Sequence, residues 1–151
     1  MRIESFLRQS PAFQIGRVAR KMNASLNSIL EQEELTAMEA MLLAAIFLEK
    51  KGEIKPSRLA ETFETTRGNI SHSISSLEAK GLVARRIDAE DARAFRLVLL
   101  PVGRRRAARV VGILDRMQRR FEESVGAVEL QAMLEQMGAV EALCAEMAQT
   151  R

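Results

Sequence analysis

The chain has 151 residues, of which 47% are hydrophobic and 28% charged, and its net charge at pH 7 is +3. These proportions are typical of a soluble globular protein of one or two domains and exclude a disordered or fibrous chain. A single cysteine cannot form an internal disulfide, and the N-terminus lacks the pattern of a secretory signal peptide. The most apolar run, residues 38–48, is about half the length that a bilayer requires. We therefore expect a cytoplasmic protein without a membrane segment.

Positive charge is concentrated in one part of the sequence. Residues 81–120 contain eleven arginines, no lysine and four acidic residues, whereas residues 121–151 contain one arginine and six glutamates. A localised basic segment is typical of a nucleic-acid contact. For Arg116, Arg119 and Arg120, the alternative is a solvated helix face in a protein from a GC-rich genome.

The first predicted helix begins at Pro11, whose missing N–H is not needed in a first turn. Its apolar stripe ends at the acidic residues 31, 33 and 34 and consists of Ile15, Val18, Met22, Leu26 and Ile29. A second helix begins after Thr36, which forms a capping box with Glu39. This helix is apolar nearly all round, so we expect it to be buried and to end at Lys50-Lys51-Gly52.

Two short helices follow, separated by three residues. The first runs from Pro56 to about Phe63, and the second is capped by Thr66 and ends at Lys80-Gly81. The inward face of the second carries three apolar residues, Ile70, Ile74 and Leu77.

Two strand candidates and two long helices complete the chain. Residues 82–87 and 95–99 predict a β-hairpin with a polar tip at residues 88–92. Pro101 begins a long helix, and a break near Gly126 leads to the last one. The predicted inward positions are Val110, Leu114, Met117, Phe121 and Val125 in the former, and Leu130, Leu134, Met137 and Met147 in the latter.

The outward face of the helix after Thr66 has an unusual composition. Instead of the Lys, Glu and Arg typical of an exposed helix, it carries small or short polar residues: Gly68, Asn69, Ser71, His72, Ser75, Ser76 and Ala79. Two short helices joined by a tight turn, with such a face on the second, predict a helix-turn-helix. Short side chains let a helix approach base edges in the DNA major groove and exchange hydrogen bonds with bases or phosphates.

Arginines at the start of this helix and on the hairpin extend the predicted DNA surface. Arg67 can reach a guanine or a phosphate, and Gly68 lets the first helical turn come close to the DNA backbone. The hairpin makes the module winged. Its arginines, and those on its flanks, would lie where the minor groove is electronegative: Arg85, Arg86, Arg93 and Arg96.

The sequence resembles the MarR family of winged helix-turn-helix transcriptional regulators over roughly residues 30–105. The resemblance runs through Leu35-Thr36, residues 57–61 (SRLAE) and residues 76–85 (SLEAKGLVAR). Its most specific part is the wing motif at residues 88–97 (DAEDARAFRL), in which an Asp stands two residues before an Arg. The resemblance implies that Arg93 enters the minor groove and that Asp91 braces it.

These observations predict a mainly α (α+β) fold. A winged helix-turn-helix domain at residues 35–101, with a small β-hairpin wing, lies between dimerisation helices at residues 1–34 and 102–151. The terminal helices have apolar stripes that one winged domain cannot cover, so we expect a homodimer whose two recognition helices lie roughly 34 Å apart on DNA. The predicted DNA-binding residues are Thr66, Arg67, Gly68, Asn69, Ser71, His72, Ser75, Arg86, Asp91 and Arg93.

The predicted function is that of a homodimeric transcriptional repressor that binds double-stranded DNA at a palindromic operator. The resemblance implies in addition a small aromatic or phenolic effector that releases it. The alternative is a winged-helix module that binds another protein through the small-residue face. One His and one Cys, without a glycine-rich phosphate loop, provide no catalytic set and no metal site, so we predict neither an enzyme nor a cofactor.

Three features have an alternative structural interpretation. His72 either contacts a base or phosphate or is simply exposed to solvent. The Asp91–Arg93 pair either contacts DNA or is a surface ion pair that contributes little. Cys144 lies in the apolar pattern of the last helix and is predicted to be a buried, inert thiol, with a redox sensor as the alternative.

Overall fold

Seven α-helices and one three-stranded antiparallel sheet make up the part of the chain that the structure, a computed structural model, describes: residues 2–49 and 53–149. The helices are α1 (Ile3–Gln9), α2 (Pro11–Leu30), α3 (Ala37–Leu48), α4 (Pro56–Thr62), α5 (Arg67–Ala79), α6 (Pro101–Val125) and α7 (Ala127–Gln149). The strands are β1 (Glu53–Ile54), β2 (Val83–Ile87) and β3 (Phe95–Leu99), in the order β1-β3-β2. The predicted fold, mainly α with a small β-hairpin wing, is confirmed.

The chain divides into two compact units, residues 1–110 and residues 111–151. The first contains α1 to α5, the sheet and the start of α6, and the second contains the rest of α6 and α7. The predicted organisation into segments 1–34, 35–101 and 102–151 stays a prediction. No helix among the described residues is both long enough and apolar enough to cross a membrane.

The hydrophobic core of the first unit lies where α3, α4 and α5 pack on the sheet. Its largest fully buried side chains are Leu30, Leu42, Leu43, Ile46, Leu59, Ile70, Ile74, Leu77, Leu82, Leu97 and Val110. The predicted inward face of α5 is among them and is therefore confirmed. α3 buries apolar residues around most of its circumference, as its nearly continuous apolar sequence predicts.

The predicted helix caps are present at α3 and α5. Thr36 Oγ1 accepts a hydrogen bond from the Glu39 N–H at 3.2 Å, and the Thr36 N–H donates to the Glu39 carboxylate at 2.9 Å. α5 is followed by Gly81, whose φ of 70° is the left-handed conformation expected after a helix. The predicted end of α3 at Lys50-Lys51-Gly52 lies outside the described residues.

An ion pair between Lys80 and the buried carboxylate of Glu39 ties the end of α5 to the start of α3. Lys80 Nζ donates to Glu39 Oε2 at 2.7 Å and to the Glu34 carbonyl at 2.8 Å. Burial by itself raises the pKa of Glu39, but hydrogen bonds from Lys80, Ser76 and the Thr36 N–H outweigh burial and hold that pKa below its ordinary value. The carboxylate is therefore charged at neutral pH and keeps the Lys80 ammonium in place.

The turn between α2 and α3 is also held by α6. Arg106 Nη1 donates to the Glu33 carbonyl at 3.1 Å. Arg109 Nε lies 3.1 Å from both carboxylate oxygens of Glu33, and this hydrogen bonding raises the pKa of Arg109. These contacts fix the short 3-10 turn at Glu31–Glu33 to the start of α6.

Two short elements were not predicted from the sequence. β1 adds a third strand to the sheet by pairing Glu53 with Val98 and Ile54 with Leu97. α1 precedes α2 and begins without a side-chain cap. A strand of two residues is too short to show a hydrophobic period, and α1, unlike α4, has no proline or capping side chain to mark its start.

α6 begins very close to the end of the sheet. The Leu100 N–H donates to the Leu82 carbonyl at 3.0 Å, and Pro101 then starts the helix. A Cβ placed on Gly103 would lie 1.8 Å from the same carbonyl oxygen. Gly103 is therefore required by the close approach of α6 to Leu82.

The second unit leaves most of its apolar side chains exposed. In α7 only Leu130 is buried among the described residues. The large exposed apolar side chains of this helix are Val128, Met133, Leu134, Met137, Val140, Leu143 and Met147. Three of the positions predicted to face inward are thus exposed in the single chain.

Cys144 is exposed, which corrects the expectation of a buried thiol. The reason is that α7, although apolar in sequence, buries so little of its surface within one chain. In α6 the burial of the predicted inward positions decreases along the helix: Val110 is buried, Leu114 and Met117 are half-buried, and Phe121 and Val125 are exposed.

Candidate nucleic-acid interface

The outward face of α5 is accessible over most of its length. The residues of α5 and its cap that we predicted to bind DNA are all exposed: Thr66, Arg67, Gly68, Asn69, Ser71, His72 and Ser75. Ser73, on the opposite side of the helix, is buried. The exposed face can therefore offer an external partner side chains that both donate and accept hydrogen bonds.

The first turn of α5 is ordered by its own side chains. Thr66 Oγ1 accepts from the Asn69 N–H, and Asn69 Nδ2 donates to Thr65 Oγ1, both at 3.1 Å. A Cβ on Gly68 would meet only Thr66 Oγ1, at 3.8 Å. Packing within the chain therefore does not require a glycine at this position.

A groove of about 300 Å³ lies between α5, α4 and the wing, the hairpin formed by β2, β3 and the loop between them. Its polar lining consists of Lys55, Ser57, Arg67, Ser71 and Arg93. The structure thus brings together three predicted DNA-binding residues and adds Lys55 and Ser57, which the sequence had not singled out as site residues. Arg67 and Arg93, together with Lys55, whose ammonium also contacts the Asp88 carboxylate at 3.1 Å, favour an anionic partner.

At the wing tip, Asp91 organises the backbone around Arg93. Asp91 Oδ1 accepts from the Arg93 N–H at 3.0 Å, and the Asp91 carbonyl accepts from the Ala94 N–H at 3.0 Å. Asp91 therefore holds the main chain at Arg93, and the Arg93 side chain lines the groove.

Arg85 joins the wing to α5. Its Nε lies 3.1 Å from Glu78 Oε2, its Nη2 donates to Ser75 Oγ at 3.5 Å, and its guanidinium carbon lies 4.7 Å from the centre of the Phe95 ring. Pairing with a carboxylate and stacking on an aromatic ring hold the planar group in place. The neighbouring Arg86 is exposed.

Arg96, predicted to place positive charge on the wing and its flanks, is paired with two carboxylates within the chain. Its Nε donates to Asp88 Oδ2 at 2.7 Å, its Nη1 donates to Glu53 Oε1 at 3.2 Å, and 22% of its side chain is exposed. The hydrogen bond to Asp88 raises the pKa of Arg96. Two carboxylates neutralise this cation because the unpredicted strand β1 brings Glu53 beside β3.

Asp88 is the centre of this network, although we had placed it only in the polar hairpin tip. Its buried carboxylate accepts from the N–H groups of Glu90 at 2.8 Å and Asp91 at 3.2 Å, and it contacts Arg96 and, at 3.1 Å, Lys55 Nζ. The Glu90 N–H first, and Arg96 next, hold the pKa of Asp88 well below its ordinary value. The sequence signal for this role is an Asp at a strand end, where its side chain can accept from the N–H two residues later.

We expect the stability of the first unit to fall as the pH is lowered below about 4. Because the pKa of Asp88 is lower in the folded chain than its ordinary 3.8, its contribution is complete above that pH and is lost as the pH falls toward the folded-state pKa. Urea unfolding from about pH 6 to about pH 3 measures this. Asp88→Asn should show a shallower pH dependence than the wild type, and an unchanged dependence would contradict the prediction.

Among the described residues, no group of three or more His, Cys, Asp and Glu side chains is arranged to hold a metal ion. His72, the one histidine of the chain, lies on the exposed face of α5. The DNA contact predicted for His72 stays a prediction.

A family sequence model matches part of this chain, and solved structures match its fold. Residues 33–94 match the sequence model of the MarR family. MepR of Staphylococcus aureus, in a complex with DNA, superimposes with a TM-score of 0.82 at 18% identity over 89% of this chain and 98% of that one. For BldR of Sulfolobus solfataricus the TM-score is 0.72 at 22% identity, over 94% and 98% of the two chains. A mutant of Escherichia coli MarR complexed with operator DNA gives 0.74 at 20% identity, over 84% and 90%.

No curated protein matches the sequence. The solved structures establish the winged-helix fold, and the family match covers α3, α4, α5, β2 and the wing loop up to residue 94. Over residues 33–94, which contain the helix-turn-helix and the residues of the wing tip, this chain therefore matches the MarR family in sequence, and its fold is that of the winged-helix structures compared above.

Proposed function

We propose that this protein is a homodimeric, sequence-specific repressor that binds a palindromic operator through α5 and the wing. The observation that carries the proposal is the cationic groove of Arg67, Arg93 and Lys55 beside the small polar face of α5. MepR and MarR, which share the fold, are seen in complexes with DNA. In the proposed complex α5 enters the major groove and Arg93 reaches the minor groove.

The exposed apolar side chains support the homodimer. Large apolar residues of α1 and α7 are open to solvent in the single chain, among them Ile3 at 65%, Phe6 at 56% and Val128 at 78% exposure. Apolar patches of this kind on a soluble protein mark interaction sites. A two-fold dimer would cover such surfaces on both copies and present two α5 helices about one DNA turn apart, which requires an operator with two-fold symmetry.

We expect Arg93→Ala to weaken binding to duplex DNA about 10-fold on any sequence and to lower the salt dependence by about one released counterion per half-site. The Arg93 side chain lines the protein groove between α4, α5 and the wing. Its proposed contacts are with the DNA backbone and the wall of the DNA minor groove, which are the same for any sequence. Fluorescence anisotropy with a labelled duplex, titrated between about 50 and 200 mM salt, measures both quantities.

Arg119→Ala is the matched control because it removes one exposed arginine from α6 outside the groove. It should leave DNA affinity unchanged. If the wild-type protein shows no salt-sensitive binding to duplex DNA from around its own gene, the repressor function is wrong and the protein-binding module becomes the better interpretation.

We also propose that a small aromatic or phenolic ligand releases the operator. An open cavity of about 600 Å³ is bordered by Asn27, Glu31, Thr36 and Lys80, at the turn that connects α2 with α3. Lys80 belongs to the end of α5, so a ligand that binds more tightly to one arrangement of this turn would shift the position of α5. Repeating the DNA titration with a series of phenols tests this, and an unchanged affinity throughout would contradict it.

A further inference from the structure

We propose that Asp88 is a positioning residue for DNA binding, whose buried carboxylate fixes the wing loop that presents Arg93. The inference rests on the proposed DNA-binding function, and it assigns a role to a residue that would not itself touch DNA. The relevant observations are the contacts of its two carboxylate oxygens, which serve different parts of the wing.

One oxygen shapes the loop. Asp88 Oδ1 accepts from the N–H groups of Glu90 and Asp91, at 2.8 and 3.2 Å. Asp91 in turn accepts from the Arg93 N–H at 3.0 Å, and the Asp88 N–H donates to the Ala94 carbonyl at 3.0 Å. The path from the buried carboxylate to the backbone of Arg93 is therefore a continuous series of hydrogen bonds.

The other oxygen anchors the loop to the rest of the first unit. Asp88 Oδ2 lies 2.7 Å from Arg96 Nε and 3.1 Å from Lys55 Nζ. Arg96 also contacts Glu53 of β1, and Lys55 directly precedes α4. The loop that carries Arg93 is thus fixed relative to the groove that Lys55 and Arg93 both line.

A carboxylate is required because both oxygens must accept hydrogen bonds. An asparagine side chain has one accepting oxygen and an NH₂ group that only donates. In Asp88→Asn, the oxygen can serve the two N–H groups or the two cations, but the NH₂ group then faces donors. We expect the wing loop to lose its fixed conformation, and Arg93 to contact DNA less often.

Whether Asp88→Asn weakens or tightens DNA binding separates a positioning role from a simple change of surface charge. Asp88→Asn removes one negative charge from a DNA-binding surface, and by charge alone it should tighten binding. Glu90→Gln is the matched control, since Glu90 is an exposed neighbour in the same loop whose loss changes the net charge by the same amount. A positioning role predicts weaker binding for Asp88→Asn and no weakening for Glu90→Gln.

The test is a double-mutant cycle in the full-length protein, read as anisotropy of a labelled random-sequence duplex at low salt. We expect Asp88→Asn to bind about fivefold or more weakly, Glu90→Gln to bind as well as or better than wild type, and Arg93→Ala to bind about 10-fold more weakly. In the Arg93→Ala background, Asp88→Asn should have less than about a twofold further effect, because Asp88 acts through Arg93.

Arg96→Lys provides a second route if Asp88→Asn does not fold, as judged by circular dichroism. It keeps the charge, but one ammonium replaces a guanidinium that bonds to both Asp88 and Glu53. We expect about twofold weaker binding that again disappears in the Arg93→Ala background.

The inference is overturned if Asp88→Asn binds DNA as tightly as the wild type or more tightly. It is also overturned if the double variant loses affinity by the full product of the two single-variant losses. In either case salt-sensitive binding by the wild type, weakened by Arg93→Ala, leaves the proposed function standing. Absence of salt-sensitive binding by the wild type overturns the proposed function, and with it the role of Asp88.

Discussion

Met137→Glu is expected to convert the protein into a monomer of 16.9 kDa and to abolish its operator binding. Met137 lies on the apolar face of α7 and is 43% exposed in the single chain. If this face forms the proposed dimer interface, each copy would bury one unpaired carboxylate there. We expect the dimer dissociation constant to rise at least about 100-fold. Sedimentation at micromolar concentration measures the association.

Ala142→Glu is the matched control. At about 100° per residue, position 142 lies roughly 140° around α7 from position 137 and near Glu135. The same charge is introduced into the same helix, but on its more polar side, so we expect the variant to remain dimeric. A dimeric Met137→Glu protein, or loss of the dimer in both variants, would contradict an interface centred on this apolar face.

Gly103→Ala is expected to destabilise the first unit by about 2–3 kcal/mol. The added Cβ would lie 1.8 Å from the Leu82 carbonyl oxygen, which also accepts from the Leu100 N–H. The Leu82 backbone, which leads directly into the paired strand β2, cannot move away as a flexible side chain can, so α6 must shift. Urea unfolding should show a lower midpoint with an unchanged slope.

Gly112→Ala makes the same substitution in the same helix, where the new Cβ would meet only the end of the Arg116 side chain, at 3.5 Å. Because alanine is the better helix former, this variant should be more stable than the wild type by up to about 1 kcal/mol. Equal stability of the two variants would show that helix propensity, and not the approach to Leu82, determines the effect at Gly103.

The local features of the fold could be predicted because a few neighbouring residues determine each of them. Thr36 and Glu39 are three residues apart and satisfy each other's backbone N–H groups whatever lies around them. Gly81 ends α5 because it alone of the nearby residues adopts a left-handed conformation without strain. The inward stripe of α5 follows from helical periodicity in the same way.

The internal ion pairs of the site could not be predicted, because they join residues far apart in sequence. Arg96 is neutralised by Glu53, forty-three residues earlier, only because β1 pairs with β3. The carboxylate of Asp88 is buried because Lys55 and Arg96 approach it from two other elements. From the sequence alone, Arg96 was indistinguishable from an arginine that faces DNA.

The same long-range pairing bears on why residues 81–120 contain eleven arginines and no lysine. Three of these arginines each bond to more than one acceptor atom or residue: Arg85, Arg96 and Arg109. A guanidinium can do this because its donors diverge within one rigid plane, whereas an ammonium concentrates its charge at a single atom. At these three positions the codon preference of a genome is not needed to explain the residue. Arginine is used there as a planar cross-link between elements of the fold.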